Sequence, residues 1–458
     1  MQNAKPMGSN LTDRSRIRLL ELAGPMFVEI MLRTSLMSVD TFMLSAYSEK
    51  AVAAMSLANV FCFLIQQVYT MVAVGSNILI AQNLGAGNKK EAGQTALGSY
   101  VLVFLFSAAL SAVMALFSGH IIDGYHLEPK VAKYARDFLF IYSAFSVFMA
   151  INIVQATILR AWGYPSAAMA VNIIALVLTV AGNAVFLFGP FGIPVLGVAG
   201  VALSTVLSQV ITCGIYARVM SKKKDIKAGL GGLFKVPGRV YAMILKIGVP
   251  TGGEVISYNL SQIVIMFMVS SLGTESMAAF GIIMTIVRYI FMPGISIGSG
   301  TQIKVSYMVG SGRHDEAHSR VYRYFGAGFS ISLGLVLILN LFKHPILRIF
   351  TMNPAILSII TAALLVSIFL EPGRNFNTII IPALKGSGDV KFPVMMGIIS
   401  MWGISVFGGW LLGIHFKLGV PGIMAAMACD EWSRGITMLI RWRSGVWRKK
   451  GLIGRAEK

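Results

Sequence analysis

Residues 23–40 read AGPMFVEIMLRTSLMSVD, and residues 247–265 read IGVPTGGEVISYNLSQIVI. Each stretch is apolar enough to lie in a membrane. Each also sets a glutamate four residues after a proline: Glu29 after Pro25, and Glu254 after Pro250. Only the first adds Arg33 and Asp40; Ile265 stands where a copy of Asp40 would fall. A charge at bilayer depth costs at least ~2.5–3.5 kcal/mol, so an intramembrane carboxylate is a functional-site hypothesis by default.

The composition around these stretches fits a membrane. The chain has 458 residues, of which 56% are hydrophobic and 13% charged, and its mean hydropathy is +0.73. A soluble chain carries roughly a quarter charged residues, so this is an integral membrane protein. The net charge of +20 raises nucleic acid as a partner. The Lys and Arg residues, however, sit in short connectors between apolar runs and form no basic face on a soluble domain. Membrane lipids with anionic headgroups are the partner this distribution points to, and no nucleic-acid binding is expected. Cys62, Cys213 and Cys429 are far apart in apolar segments, which suggests neither a disulfide framework nor a zinc site.

Twelve segments reach the ~20 apolar residues that a span requires. They lie near 19–44, 52–80, 96–118, 134–158, 167–188, 196–217, 241–271, 277–308, 321–342, 357–383, 392–414 and 420–441. Uninterrupted apolar runs of this length predict helices, since barrel strands would read as short alternating segments. With the N-terminus inside, about 29 of the 39 Lys and Arg fall on the cytoplasmic side, as the positive-inside rule requires. Both termini are then cytoplasmic, in the cell membrane.

The chain is also written twice. Pro25 and Pro250, Glu29 and Glu254, Gly85 and Gly310, Ala92 and Ala317, Leu159 and Leu384, and Gly163 and Gly388 are all 225 residues apart. NLGAGNKKEA at 83–92 parallels MVGSGRHDEA at 308–317, and GVAGVA at 197–202 parallels GVPGIM at 419–424 with an offset of 222. A duplicated six-span unit predicts two lobes related by an axis along the membrane normal, a repeat type found in secondary transporters. The expected divisions are a cytoplasmic segment 1–18, an amino-terminal lobe 19–220, a Lys- and Gly-rich linker 221–240, a carboxy-terminal lobe 241–441 and a basic tail 442–458.

Acidic residues fall in or at the margins of four spans: Glu29 and Asp40, Glu254, Glu371, and Asp430 with Glu431. Glu29 has Arg33 one turn on, Glu371 has Arg374, and Asp430 and Glu431 have Arg434. For these, a buried ion pair bracing a helix is as reasonable as a transport role. Asp40 and Glu254 have no basic residue within one turn. An unpaired carboxylate in a low-dielectric cavity can hold a proton or coordinate a cation reversibly. The alternatives are that Asp40 lies in headgroup water where its span ends, and that Glu254 lies near the cytoplasmic surface. Gln66, Asn77, Asn152, Thr179, Asn183, Thr205, Gln209, Tyr258, Asn259, Gln262 and Asn377 are possible second ligands or cavity walls, although helix–helix hydrogen bonding is the commoner role. GAGN at 85–88 and GSGR at 310–313 lack the Lys–Ser/Thr and the preceding strand of a nucleotide loop, so they read as tight turns. With no nucleophile, metal-ligand or nucleotide motif, the chain reads as a non-enzyme without a cofactor, energised by an ion gradient.

SVDTFML in the first span, LGAGNKKEA, LRAWGYP, LKGSGDVKFP, AGNAVFLFG and GVAGVALST together resemble the multidrug and toxic compound extrusion (MATE) family, closest to its NorM-like bacterial branch. The likeness spans almost the whole chain. It implies an all-α fold of twelve transmembrane helices in two pseudo-symmetric lobes, rocking about a central cavity and exporting organic cations in exchange for Na⁺ or H⁺. By that resemblance Asp40 is the first-lobe carboxylate, with Thr179, Asn183 and Thr205 around it. Glu254 matches a glutamate of the seventh span, and the acidic position of the tenth span falls at Arg374 with Glu371 a turn earlier. The expected cation or proton site is therefore Asp40, Asn183, Thr205, Thr179, Glu254 and Glu371, and the expected cavity wall is Gln66, Tyr258, Asn259, Gln262 and Arg288. The chain is expected to act as a monomer. A lipid-linked precursor flippase of the same fold would instead use Arg33, Arg288 and Arg374 to hold phosphates. A membrane-embedded enzyme would need a clustered His, Ser or acidic motif that the spans do not show.

Overall fold

The computed structural model describes residues 17–453 apart from 126, 193, 224–225 and 227–235. Most of the expected segment 1–18, most of the linker 221–240 and the end of the tail lie outside the described residues. Among the described residues the structure is helical with no strand. The amino-terminal half comprises α1 (Leu19–Tyr47), α2 (Glu49–Gly85), α3 (Lys89–Asp123), α4 (Pro129–Ala144), α5 (Ser146–Ala161), α6 (Pro165–Phe188) and α7 (Gly197–Ser221). The other half begins with α8 (Gly238–Ser271), α9 (Thr274–Gly310), α10 (His314–Leu341), the short α11 (Lys343–Phe350) and α12 (Pro354–Ser387). It continues through α13 (Lys391–Ser400), α14 (Phe407–Gly409) and α15 (Gly419–Arg443).

Ten helices are long and apolar enough to cross a membrane, and an eleventh crossing is the pair α4 and α5, bent by 54°. The fourth span is thus broken where the sequence predicts one run. Ser111 of α3 donates to the Ser143 carbonyl at the break, taking over an acceptor that a straight helix would use itself. The eleventh predicted span, α13 through His415, contains two π-helical stretches, Met401–Val406 and Trp410–His415. The twelfth, α15, carries Asp430, Glu431, Arg434, Arg441 and Arg443, an unusual charge load for a membrane span, yet it buries the first three of these. All twelve predicted segments are accounted for, in two six-span lobes.

The repeat extends to the backbone. Left-handed glycines end corresponding turns: Gly87 and Gly312 (φ 79° and 75°), Gly163 and Gly388 (78° and 97°), and Gly197 and Gly419 (59° and 63°). Only glycine takes this conformation without steric cost, so the repeat keeps it at each pair.

The lobes meet where α1 and α2 pack on α8 and α9, at the end of the molecule carrying the basic turns, and the contacts there are reciprocal. A Cβ on Gly85 would lie 2.2 Å from the Tyr307 carbonyl oxygen, and one on Gly310 would lie 2.0 Å from that of Gln82. Gln82 and Tyr307 are themselves 225 apart. Gln82 Nε2 donates to the Gly386 carbonyl at 2.8 Å, and the Tyr307 hydroxyl donates to the carbonyl of Ala161, which stands 225 residues before Gly386. Small residues let the two backbones touch, and each lobe caps a carbonyl of the other.

Candidate ion and substrate sites

In the amino-terminal lobe, α1 and α6 bring two predicted site residues together. Asn183 Nδ2 donates to Asp40 Oδ1 at 3.0 Å. Asn183 is buried and its Oδ1 has no hydrogen-bond partner, while Asp40 is half-buried. Asn183 is the only described partner of the Asp40 carboxylate, which therefore meets an amide and no cation. The two threonines are turned to their own helices: Thr179 Oγ1 donates to the Ala175 carbonyl and Thr205 Oγ1 to that of Val201. A chain of hydrogen bonds runs from Arg33 Nη2 to Gln66 Oε1, from Gln66 Nε2 to the Tyr142 hydroxyl, and from that hydroxyl to Met149 Sδ.

The one-turn pairing expected of Glu29 and Arg33 is replaced by a contact between helices. Arg160 Nη2 reaches both Glu29 oxygens at 2.7 and 2.8 Å, and Asn172 Nδ2 adds a third bond at 2.7 Å. Arg33 is left to Gln66. In the other lobe Glu254, expected to be unpaired, forms a buried ion pair with Lys385. Both pairs join residues 131 apart, so Arg160 and Lys385 stand in the same 225-residue register as their glutamates. That register was a signal in the sequence for both cations. The lobes differ in the third partner. Gly397 holds the position of Asn172, and a Cβ there would lie 3.3 Å from Glu254 Oε1, so Glu254 has a glycine where Glu29 has an amide.

A second charged group is buried between α12 and α15. Arg374 Nη1 bonds Glu371 Oε1 at 2.9 Å, Arg374 Nε faces Glu431 Oε1 at 3.5 Å, and Arg434 Nη2 contacts Glu431 Oε2 at 2.9 Å and Asp430 Oδ2 at 3.4 Å. Asn377 Nδ2 donates to Glu431 Oε2 at 2.6 Å, Ser400 Oγ donates to Asp430, and the Arg374 guanidinium lies over the Phe291 ring. Three carboxylates thus face two guanidinium groups. Glu371 is wholly buried, and its Oε2 has no partner. The predicted one-turn pairings of Glu371 and of Asp430 with Glu431 are present here, but as one linked cluster that includes the contact from Arg374 to Glu431. Of the other predicted residues, Tyr258 is partly exposed on α8, Asn259 bonds the Val255 carbonyl, Gln262 is half-buried one turn on, and Arg288 is exposed on α9.

The model of the MatE family matches residues 25–185 and again 250–411, one copy per lobe and well over half of the chain. The chain belongs to the MatE family. Its MatE relatives include the uncharacterized transporter YisQ of Bacillus subtilis, 36% identical over 95% of both chains. A probable multidrug resistance protein NorM of Thermotoga maritima is 27% identical over 96% of this chain and 95% of its own. Among solved structures, an outward-facing multidrug resistance MATE transporter of the MOP superfamily superposes with a TM-score of 0.88, covering 97% of this chain and all of that one, at 18% identity. A MOP superfamily transporter of Pyrococcus furiosus, described as having a binding pocket of reversed polarity, gives 0.85 at 19% identity, covering 93% of this chain and 94% of that one. The fold is therefore that of a MatE transporter, a multi-pass membrane protein.

Proposed function

We propose that this protein is a cation-coupled multidrug efflux antiporter that exports organic cations by alternating access, as a monomer in the cytoplasmic membrane with both termini inside. The observation that carries this reading is Asp40, a half-buried intramembrane carboxylate whose one described partner is a neutral amide. Such a group lacks a counter-ion, and Na⁺ or H⁺ supplies one. Asn183 is the second member of the amino-terminal site, and Thr179 and Thr205 join it by turning away from the Ala175 and Val201 carbonyls. Glu371 contributes in the other lobe through its unpartnered Oε2, beside Glu254. Gln66, Tyr258, Asn259, Gln262 and Arg288 line the path of the exported compound. The reciprocal seam joins the lobes at the basic-turn end, the side that the positive-inside rule assigns to the cytoplasm, which supports reading this state as open outward. Loading Asp40 biases the packing of α1, whose ladder Pro25 already interrupts, and so shifts the equilibrium between the two open states. The flippase reading is disfavoured, because Arg374 is neutralised by Glu371 and Glu431 and Arg33 is engaged by Gln66.

The test is efflux of a fluorescent organic cation such as ethidium from vesicles, with Na⁺ and pH gradients imposed separately on wild type and Asp40→Asn. One gradient drives wild-type export and neither drives the variant. Full coupled export by Asp40→Asn removes Asp40 from the mechanism.

A further inference from the structure

At the face opposite the basic turns, α11 and the start of α12 enclose an open pocket of about 500 Å³. His344, Arg348, Ser358 and Thr361 form its polar wall, and Leu357 and Leu365 its apolar one. The corresponding place in the amino-terminal lobe holds an ion pair. The 225-residue register holds here, because Pro129 and Pro354 both open their helices at the first position. It sets Asp123 opposite Arg348 and Arg136 opposite Thr361. Asp123 and Arg136 form an ion pair at 2.5 Å. Arg136 Nε also lies 3.9 Å from where a Cβ on Gly119 would stand, and Gly119 is the counterpart of His344.

One lobe therefore satisfies its guanidinium from within, by a carboxylate at the position that Arg348 holds in the other. In the carboxy-terminal lobe the carboxylate has become Arg348 and the arginine has become Thr361. No carboxylate among the described residues pairs with Arg348. Next to Arg348 in the chain, Ile349 at the end of α11 and Met352 just past it are 81% and 75% exposed. A short helix presenting such side chains at the end of two spans lies in the boundary between headgroups and acyl chains.

We propose that this pocket binds the phosphate of an anionic phospholipid headgroup. Arg348 pairs with the oxyanion, His344, Ser358 and Thr361 donate hydrogen bonds to it, and Leu357 and Leu365 pack on the adjoining acyl chain. Charge-assisted pairing of a guanidinium with phosphate is a strong polar contact, and the apolar wall beside it favours a lipid over a free phosphate ion.

Native mass spectrometry of the full-length protein in detergent tests this, with phosphatidylglycerol, phosphatidylcholine and inorganic phosphate as separate probes. Phosphatidylglycerol is expected to be retained on the wild type, and Arg348→Gln to lower its occupancy by about tenfold, as loss of a charge-assisted contact implies. The double variant Arg348→Asp/Thr361→Arg rebuilds the ion pair of the other lobe and is expected to abolish retention while keeping the wild-type melting temperature. That variant carries its own pair, so it decides the matter even if Arg348→Gln folds poorly. Undiminished phosphatidylglycerol on the double variant overturns the site. Equal retention of phosphatidylcholine overturns the requirement for an anionic headgroup, and displacement of the lipid by equimolar inorganic phosphate overturns the lipid as the ligand.

Discussion

The polar interiors of the two lobes occupy the same places in the repeat and are built from different chemistry. In the amino-terminal lobe Asn152 Nδ2 donates to Gln209 Oε1 at 2.6 Å and to Thr212 Oγ1 at 3.1 Å. In the carboxy-terminal lobe its counterpart Asn377 donates to Glu431 Oε2, and Glu431 pairs with Arg434. Glu431 and Arg434 stand 222 residues after Gln209 and Thr212, the offset of the last helix of each lobe. Ser146 and Met149 likewise become Glu371 and Arg374, and Ser208 becomes Asp430. Duplication thus preserved a hydrogen-bond position and replaced a neutral network by a charged one. Beside the neutral network, Asp40 is an intramembrane carboxylate whose described partner is an amide. The charged network spreads three carboxylates over two guanidinium groups, so a change of charge on any one is shared by the cluster.

The sharpest way to break this comparison is to remove one charge from each lobe. Asp40→Asn is expected to lower gradient-driven efflux by about tenfold or more, because no second carboxylate replaces it. Glu371→Gln is expected to lower it only about two- to threefold, since the cluster retains Glu431 and Asp430. Equal losses in a vesicle efflux assay would show that the lobes do not divide the task in this way.

Stability separates them next. Deleting one member of a buried ion pair costs about 3–5 kcal/mol, whereas replacing the whole set by uncharged groups of similar volume is often neutral. Arg434→Thr alone is therefore expected to lower the unfolding free energy in detergent by about that amount. The fivefold change Glu371→Ser, Arg374→Met, Asp430→Ser, Glu431→Gln and Arg434→Thr writes the residues of the amino-terminal lobe into the other, and is expected to recover most of the loss. A fivefold variant less stable than Arg434→Thr would mean that the two interiors are not interchangeable.

The seam offers a finer contrast. A Cβ on Gly75 would lie 2.3 Å from the Ile244 carbonyl oxygen, while one on its counterpart Gly300 would meet Leu19 Cδ1 at 3.1 Å. Backbone cannot yield as the tip of a leucine can. Gly75→Ala is expected to cost about 1–3 kcal/mol of packing and to open the seam to thiol reagents at cysteines placed beside it. Gly300→Ala is expected to leave labelling near the wild-type rate. The smallest effect expected is that of Arg136→Gln, because the Asp123–Arg136 pair is about half exposed. Screening limits such a pair to under about 1 kcal/mol, measurable as a small shift in melting temperature.

The ion pairs mark where sequence reading stopped. Pairing Glu29 with Arg33 followed from helical spacing, the strongest local rule available. The structure sends Glu29 to Arg160 across the lobe, and Glu254 to Lys385 in the same way. Both cations were legible through the register, since each glutamate and its partner recur together, but spacing within one helix could not show it. The cluster of Glu371, Arg374, Asp430, Glu431 and Arg434 was legible as two separate pairs. That they join depends on how α12 and α15 are rotated against each other, which packing sets. The bend between α4 and α5 left no mark in hydropathy, because the side chain that accommodates it, Ser111, belongs to another helix.

The sequence by itself determined the membrane class, the twelve spans, the duplication and the singling out of Asp40. Each of these rests on quantities that survive without coordinates: the length of an apolar run, the distribution of charge between runs, and identity at a fixed separation. Tertiary structure alone decided the partner of each buried charge, the reciprocal seam, and the empty place beside Arg348. Those depend on side chains more than a hundred residues apart meeting on helices whose rotation is fixed by contact with their neighbours.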